Sequence, residues 1–150
     1  MGLTLNQVVS RIQTVVLNHK QIKSFYFGKA SDFLNDKELR YAGCFVTDTG
    51  VVIDLAGKVT TYSFKMFLLD LVNVSNNAKE NEFEVQSDMM SVAQDLMALF
   101  DYSEYTDWRV SQNNPVQLVS EEFADMNGGV AIDFSINVQY LKDVCAVPTV

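Results

Sequence analysis

The chain has few of the residue types from which catalytic and metal sites are usually built. It holds one histidine, His19, and two cysteines, Cys44 and Cys145, among 150 residues. Neither cysteine belongs to a CxxC pair or lies near His19 in sequence, so neither a disulfide framework nor a zinc site is predicted. We expect both thiols to be reduced and buried, because free cysteine usually behaves as a small apolar residue.

Long hydrophobic runs are also missing. The longest apolar stretches, such as residues 66–69, fall far short of the roughly 20 residues that a helix needs to cross a bilayer. Residues 1–6 lack the basic and apolar regions of a signal peptide. The sequence therefore predicts a soluble protein that is cytoplasmic when it is synthesised and has no membrane partner.

Basic residues are few and unevenly placed. The chain has 11 Lys and Arg against 19 Asp and Glu, which gives a net charge of −8. Residues 1–70 carry a balance of +2 and residues 71–150 a balance of −10. This shortage of cations disfavours sequence-specific binding of nucleic acid. The uneven charge either serves solubility alone or favours head-to-tail contact between copies and keeps a polyanion from adhering.

Two segments have the periodicity of amphipathic helices. The first covers residues 5–18 and is opened by Thr4 and Gln7, whose spacing matches a capping box. The second follows the polar stretch 73–81, where Asn77 offers a cap. Its apolar seam consists of Val85, Met89, Val92, Leu96 and Leu99, with Ala93 and Phe100 beside it.

The remaining apolar segments have the composition of β-strands. Turn residues at 48–50 and 56–58 separate three runs and predict an antiparallel meander, and Asn127 to Gly129 predict a hairpin turn. Residues 130–140 alternate apolar and polar side chains, which is typical of one long strand with a dry and a wet face. The predicted strands are residues 25–27, 41–46, 51–55, 59–72, 107–111, 116–123 and 130–140.

This order of elements predicts one α+β domain over residues 1–150, with residues 142–150 as a possible extended tail. A largely antiparallel sheet forms one layer, and two amphipathic helices pack on one of its faces. The other face, with Asp133, Ser135, Asn137 and Gln139, is expected to meet water or a partner.

The acidic clusters do not make a convincing catalytic or metal site. One comprises Asp101, Glu104 and Asp107, the other Glu121, Glu122 and Asp125, and neither has EF-hand spacing. Solvated loops explain both better than paired acids do. We therefore predict no catalytic, cofactor-binding or metal-binding residue, no cofactor and no enzymatic activity.

Three segments are similar to known proteins: residues 20–28 (KQIKSFYFG), 68–96 and 121–148. They resemble small virion proteins of tailed phages and prophages of Bacteroidetes, including crAss-like phages, encoded near genes for head-to-tail connection and tail assembly. The order of elements also resembles that of phage tail-terminator and neck proteins. Members of that group form rings, commonly hexameric, that cap a tail tube or join it to the neck. The shared motifs are structural and carry no catalytic residues.

The resemblance implies a structural virion protein that forms a homo-oligomeric ring, a hexamer or dodecamer, at the head-to-tail junction or the tail-tube end. Its expected partners are other phage neck, portal or tail proteins, and DNA that passes without specific binding. It is expected in the host cytoplasm before assembly. Glu121, Glu122, Asp125 and Asp133 are the candidates for a lumen or interface, because acidic residues would repel phosphates.

Two alternatives stay open at this point. One is a podovirus-type ring beneath the portal, with twelvefold symmetry. The other is a monomeric acidic adaptor, or a DNA mimic that inhibits a basic host protein through its acidic face.

Overall fold

A computed structural model of the 150-residue chain describes residues 2–29, 41–71, 78–120, 127–140 and 148. Two helices and six strands lie in this described part. They are α1 (Leu5–Asn18), β1 (Ser24–Phe27), β2 (Gly43–Asp54), β3 (Val59–Leu71), α2 (Ala78–Phe100), β4 (Arg109–Val110), β5 (Val116–Ser120) and β6 (Asn127–Gln139).

The six strands form one mixed sheet, and the fold is α+β, as predicted. The strand order is β1-β2-β3-β6-β4, and β5 pairs with β6 on the same side as β4. All pairs are antiparallel except β1 with β2, which is parallel. The longest ladder joins β3 to β6 from Val59 opposite Gln139 to Leu71 opposite Asn127, and β3 also pairs with β2, so β3 is a central strand.

The first helix begins at its predicted cap. The Thr4 hydroxyl accepts a hydrogen bond from the backbone N–H of Gln7 (3.2 Å), and the Gln7 side-chain oxygen accepts one from the N–H of Thr4 (2.8 Å). This reciprocal pair satisfies two N–H groups that the helix leaves unpaired. The residues that α1 buries are Val8, Ile12, Val15 and Val16.

The second helix buries most of its predicted seam. Leu99 is the exception, because it is 46% exposed while its neighbour Phe100 is fully buried. The Phe100 ring stacks on Phe134 with ring centroids 5.7 Å apart and meets Trp108 edge-on, so the apolar stripe ends on Phe100. The predicted cap, Asn77, lies outside the described residues. Among the helices of the described part, none is both long and apolar enough to cross a bilayer.

The first predicted turn of the meander is wrong. Residues 48–50 do not reverse the chain but form an irregularity within β2, where the register with β3 shifts between Asp48 and Gly50. The Asp48 carboxylate accepts a hydrogen bond from the Gly50 N–H (3.0 Å), and Gly50 has φ of +151°. An Asp-x-Gly sequence therefore serves here as a β-bulge, which inserts an extra residue without ending the strand. The second predicted turn, at 56–58, is confirmed.

The predicted hairpin turn at Asn127 to Gly129 is also wrong, because these residues already belong to β6. A Cβ atom at Gly129 would overlap the carbonyl oxygen of Leu68 and lie 3.1 Å from the Cα of Leu69. Glycine is needed here for the close approach of two central strands rather than for a turn. The predicted strands 107–111 and 116–123 are present as the shorter β4 and β5, and residues 121–123 lie outside the described part.

The sheet has apolar clusters on both faces. The larger cluster lies between the helices and the sheet and includes Met66, Leu68, Val130, Ile132 and Phe134. A smaller cluster on the other face consists of Phe45, Leu69, Val119 and Ala131. The face predicted to be polar is thus polar along only part of its length.

Candidate functional site

Of the four predicted lumen residues, the structure describes only Asp133. It is exposed on β6, on the sheet face away from the helices, and its register partner on β3 is Lys65. Glu121, Glu122 and Asp125 lie outside the described residues, so whether the four acids share a surface is untested.

The polar part of this sheet face is balanced in charge around Asp133. A cation and a carboxylate stand opposite each other at Lys65 and Asp133. Further along the same ladder, the Thr61 hydroxyl donates to the side-chain oxygen of Asn137 (2.7 Å). The surface therefore offers hydrogen-bonding groups and little net field, which suits contact with water or a polar partner.

A group of exposed apolar side chains lies at the end of the β2–β3 hairpin. Every residue from Asp48 to Lys58 is exposed. We call residues 48–62 the arm. Its exposed apolar side chains are Val51 (46%), Val52 (62%), Ile53 (59%) and Leu55 (64%). Val51 and Ile53 lie on one face of the hairpin and Val52 on the other, because side chains alternate along a strand. Exposed apolar side chains grouped in this way often mark a site of association.

The arm also has an open backbone edge. β1 pairs with β2 only from Gly43 to Val46, and no other described strand lies beside β2 beyond that point. Natural edge strands are usually blocked by lysine, proline or a covering element, because their unpaired N–H and C=O groups invite another chain. The run from Val51 to Ile53 contains no lysine or proline, and within the described residues no strand covers it, although the bulge at Asp48 to Gly50 lies just before it.

Hydrogen bonds within its turns fix the shape of the arm. The Asp54 carboxylate accepts from the N–H groups of Ala56 (3.1 Å) and Gly57 (3.0 Å), and Lys58 takes φ of +55°. At the bulge, the Asp48 carboxylate likewise accepts a hydrogen bond from the N–H of Gly50. Both carboxylates thus accept hydrogen bonds from nearby backbone N–H groups. These bonds fix the conformation of the hairpin, whose exposed side chains are largely apolar.

A second exposed apolar surface lies on the opposite edge of the sheet. Phe83 on α2 is 66% exposed and Leu118 on β5 is 61% exposed. Phe83 lies one helical turn before Gln86 and Leu118 directly precedes Val119, and the Gln86 amide donates to the carbonyl of Val119 in a buried hydrogen bond (3.0 Å). We call Phe83 and Leu118 the corner patch.

The arm and the corner patch are far apart on one molecule. Ile53 pairs through Thr60 with Val138, whereas Leu118 pairs with Val130, eight residues back along β6. Three strand spacings of about 4.8 Å and eight residues of about 3.4 Å give a separation of roughly 30 Å. The two surfaces therefore lie at diagonal corners of the sheet.

Two shallow pockets flank the loop between α2 and β4, with volumes of about 400 and 460 Å³. Asp107 in the first pocket is held by Arg11, whose guanidinium donates to both carboxylate oxygens (2.7 and 2.9 Å). These hydrogen bonds hold the pKa of Asp107 below its usual value. A carboxylate held ionised in this way is poorly suited to act as a general acid or base.

Arg11 also contacts two aromatic rings. Its guanidinium carbon lies 4.6 Å from the centroid of Tyr105 and 4.7 Å from that of Trp108. This stacking, together with the ion pair, attaches α1 to the loop before β4. The contact is structural in character.

The other potentially reactive side chains of the described part, His19 and Cys44, lie in surroundings that favour a structural role. The His19 ring lies 2.9 Å from the Asp95 carboxylate and so joins the end of α1 to α2. Cys44 is fully buried, and this burial raises the pKa of its thiol, so the nucleophilic thiolate is disfavoured. No group of three or more potential metal ligands occurs within the described ranges. Cys145 lies outside them.

No protein-family model matches the chain, and a search of the curated proteins found no match. The arm and the corner patch are also features that the sequence analysis missed. The sequence signal for the arm is the run Val51 to Ile53, which its composition predicts as an ordinary strand of a meander.

Proposed function

We propose that this chain is a structural, non-enzymatic subunit of a tailed-phage virion. Copies form a homo-oligomeric ring at the head-to-tail junction or at the end of the tail tube, and DNA passes through it. The observation that carries the proposal is the arm, a shaped hairpin with four exposed apolar side chains and an open edge. The three segments that resemble phage virion proteins support the same assignment.

A ring needs an interface between two different surfaces of the same chain, because each copy must contact a neighbour on either side. The arm and the corner patch meet this requirement, since they are different in shape and lie at diagonal corners. Complete burial of a Val, Leu or Ile side chain contributes about 1.5–3 kcal/mol. Val51 and Ile53 share one face of the hairpin and are about half exposed or more, so their burial supplies on the order of 2–3 kcal/mol to an interface.

The acidic residues are proposed to act at the bore of the ring. Glu121, Glu122, Asp125 and Asp133 repel phosphates there, so that DNA slides without binding. Asp133 stands opposite Lys65 in the β3–β6 register, which reduces its own contribution to this repulsion.

The proposal is tested with the purified full-length chain and with virions of the phage or prophage that encodes it. Multi-angle light scattering and negative-stain images at rising protein concentration should show annular particles of six or twelve copies. Mass spectrometry of purified particles should detect the chain, and subunit counting in a reconstruction gives the ring order. A chain that stays monomeric at every concentration and is absent from intact virions contradicts the proposal.

A further inference from the structure

We propose that the first of the two pockets binds the phosphoryl group of a phosphate monoester, and we call it the basic pocket. It lies between the turn that joins β2 to β3, the start of β4 and the end of β6. The polar side chains that line it are Lys58, Thr106, Asp107, Arg109, Asn137 and Gln139. The inference goes beyond the proposed ring and does not depend on it, so its test needs only the purified chain.

The charge of the basic pocket is opposite in sign to that of the chain. Lys58 and Arg109 line it, and neither forms an ion pair with a carboxylate of the described residues. Asp107 is the one carboxylate among the described lining residues, and both of its oxygens accept hydrogen bonds from Arg11 (2.7 and 2.9 Å). Because the Arg11–Asp107 pair is neutral as a unit, Lys58 and Arg109 leave two positive charges uncompensated in a chain whose net charge is −8.

Two other carboxylates lie nearby, but neither lines the basic pocket. The Asp54 carboxylate accepts hydrogen bonds from two N–H groups of its own turn (3.0 and 3.1 Å). Asp101 lines the second pocket, which shares Arg109 with the first, and accepts from the amide of Gln112 (3.4 Å). Neither carboxylate is within ion-pair distance of Lys58 or Arg109. The positive charge of the basic pocket is therefore available to a ligand.

Uncharged side chains add hydrogen-bond donors at the same place. Arg109 on β4 stands opposite Asn137 on β6, so their side chains share a face of the sheet and are neighbours. The Asn137 side-chain oxygen already accepts from the Thr61 hydroxyl (2.7 Å), which leaves the amide NH₂ of Asn137 to donate. Thr106 and Gln139 bring a hydroxyl and a second amide to the same pocket.

A phosphate monoester matches this set of groups in charge and in number of acceptors. It carries about −1.5 to −2 charges and three terminal oxygens at neutral pH. An arginine fork can bind two of these oxygens side by side, and lysine supplies a further point charge. A carboxylate has one charge and two oxygens, so it leaves one cation and several donors unmatched. The pocket volume of about 400 Å³ lies in the range of small-molecule sites and has room for the organic group of the ester.

The turn fixes the backbone of Lys58 before any ligand binds. Lys58 has φ of +55°, and its carbonyl accepts a hydrogen bond from the N–H of Tyr140 (2.6 Å). A binding group whose backbone is already ordered loses less entropy when its ligand arrives. Asparagine tolerates this left-handed backbone well, so Lys58→Asn removes the charge without straining the turn.

The test measures the binding of four probes to the purified full-length chain at low salt and neutral pH, by ¹H–¹⁵N correlation spectra. The probes are inorganic phosphate, a nucleoside 5′-monophosphate, acetate, and an oligonucleotide that lacks terminal phosphates. Inorganic phosphate and the monophosphate should shift the amide signals of residues 57–59, 106–109 and 137–139. Both should bind at least fivefold more tightly than acetate, because they satisfy both cations. A nucleoside monophosphate that binds more weakly than inorganic phosphate contradicts a monoester ligand.

Three variants that each remove one positive charge locate the site. Lys58→Asn and Arg109→Gln change the basic pocket, whereas Lys20→Gln changes an exposed lysine that lies after α1 and does not line the pocket. Each pocket variant should weaken the binding of the monophosphate at least fivefold, since it loses a charge-assisted hydrogen bond, and Lys20→Gln should weaken it less than about twofold. Circular dichroism and thermal unfolding establish that all three variants are folded.

Equal weakening by all three variants would mean that the probes respond only to the net charge of the chain, and the proposal is then overturned. It is also overturned if acetate or the oligonucleotide binds as tightly as the monophosphate, because the pocket then accepts a carboxylate or a phosphodiester. Failure of this site is distinguishable from failure of the proposed function: annular particles that bind no phosphate leave the ring standing and remove the site.

Discussion

Arg11 shows how one residue can join parts of the chain that are remote in sequence. Its guanidinium binds Asp107, 96 residues away, and lies over Tyr105 and Trp108. Arginine suits this position because its planar group can form two parallel hydrogen bonds and stack on rings at the same time. No periodicity or spacing in the sequence pointed to this pair.

The Arg11–Asp107 pair makes stability depend on pH. The pKa of Asp107 is lowered in the folded protein by the hydrogen bonds from Arg11, so the stabilisation is present above the unfolded pKa of about 3.9 and is lost as the pH falls through the lower, folded pKa. The Asp107 side chain is 40% exposed, and solvent screening limits the contribution to about 0.5–1 kcal/mol.

We therefore expect Asp107→Asn to lower the free energy of unfolding by about 0.5–1 kcal/mol at pH 7, and by almost nothing near pH 2. Urea unfolding at the two pH values measures both differences. Glu104→Gln removes a carboxylate from the same loop, with no described contact to Arg11, and serves as the control. An equal loss for Asp107→Asn at both pH values would contradict the electrostatic explanation.

At the scale of elements, glycine and aspartate act differently from what their local sequence indicated. Gly129 lies within β6, where its missing Cβ lets β6 approach β3 beside Leu68 and Leu69. An added methyl group must push apart two strands in the middle of the sheet, and overpacking of this kind typically costs about 1–3 kcal/mol.

Gly129→Ala is expected to reduce the free energy of unfolding by about 2 kcal/mol or more, measured by urea denaturation. Gln117→Ala, at an exposed position of β5, is the control and should change it by less than about 0.5 kcal/mol. A Gly129→Ala protein as stable as this control would show that the strands can separate at little cost.

The elements that could be predicted are those whose signal is periodic or chemically unambiguous. The helix at 5–18, with its Thr4 cap, and the strand at 130–140 follow from spacing alone. The sequence-based predictions are wrong where one short sequence is compatible with two local structures. Asp48-Thr49-Gly50 can make a turn or a bulge, and Gly128-Gly129 can make a turn or a close approach of strands.

The candidate site was harder to predict than the fold, because exposure of an apolar residue depends on the whole sheet. Val51 to Ile53 became an exposed edge only because β1 stops at Phe27, opposite Val46, and pairs in parallel with β2. Nothing within residues 51–53 indicates where a neighbouring strand ends.

At the scale of the whole molecule, net charge and apolar surface act in opposite directions. In the proposed ring, copies with a net charge of −8 repel one another, whereas burial of the apolar side chains of the arm would attract them. Salt screens the repulsion, with a Debye length near 10 Å at 0.1 M, and leaves apolar burial largely intact.

We therefore expect self-association to be as strong or stronger at 0.5 M NaCl than at 0.05 M, measured by sedimentation velocity. Val52→Lys, which places a charge on the exposed arm, should associate weakly at both salt concentrations. If salt instead dissolves the wild-type assembly, attraction between the charged halves of the chain holds the copies together and apolar burial does not.

The attachment of α1 also provides a built-in optical reporter. Trp108, the only tryptophan in the sequence, is 3% exposed, and its indole N–H donates to the carbonyl of Phe100 at 3.0 Å. Indole fluorescence excited at long wavelength therefore comes from one position, which touches Arg11 on the first helix and the end of the second. Detachment of either helix would expose the indole ring to water and shift its fluorescence emission to longer wavelength, so no added dye or label is needed.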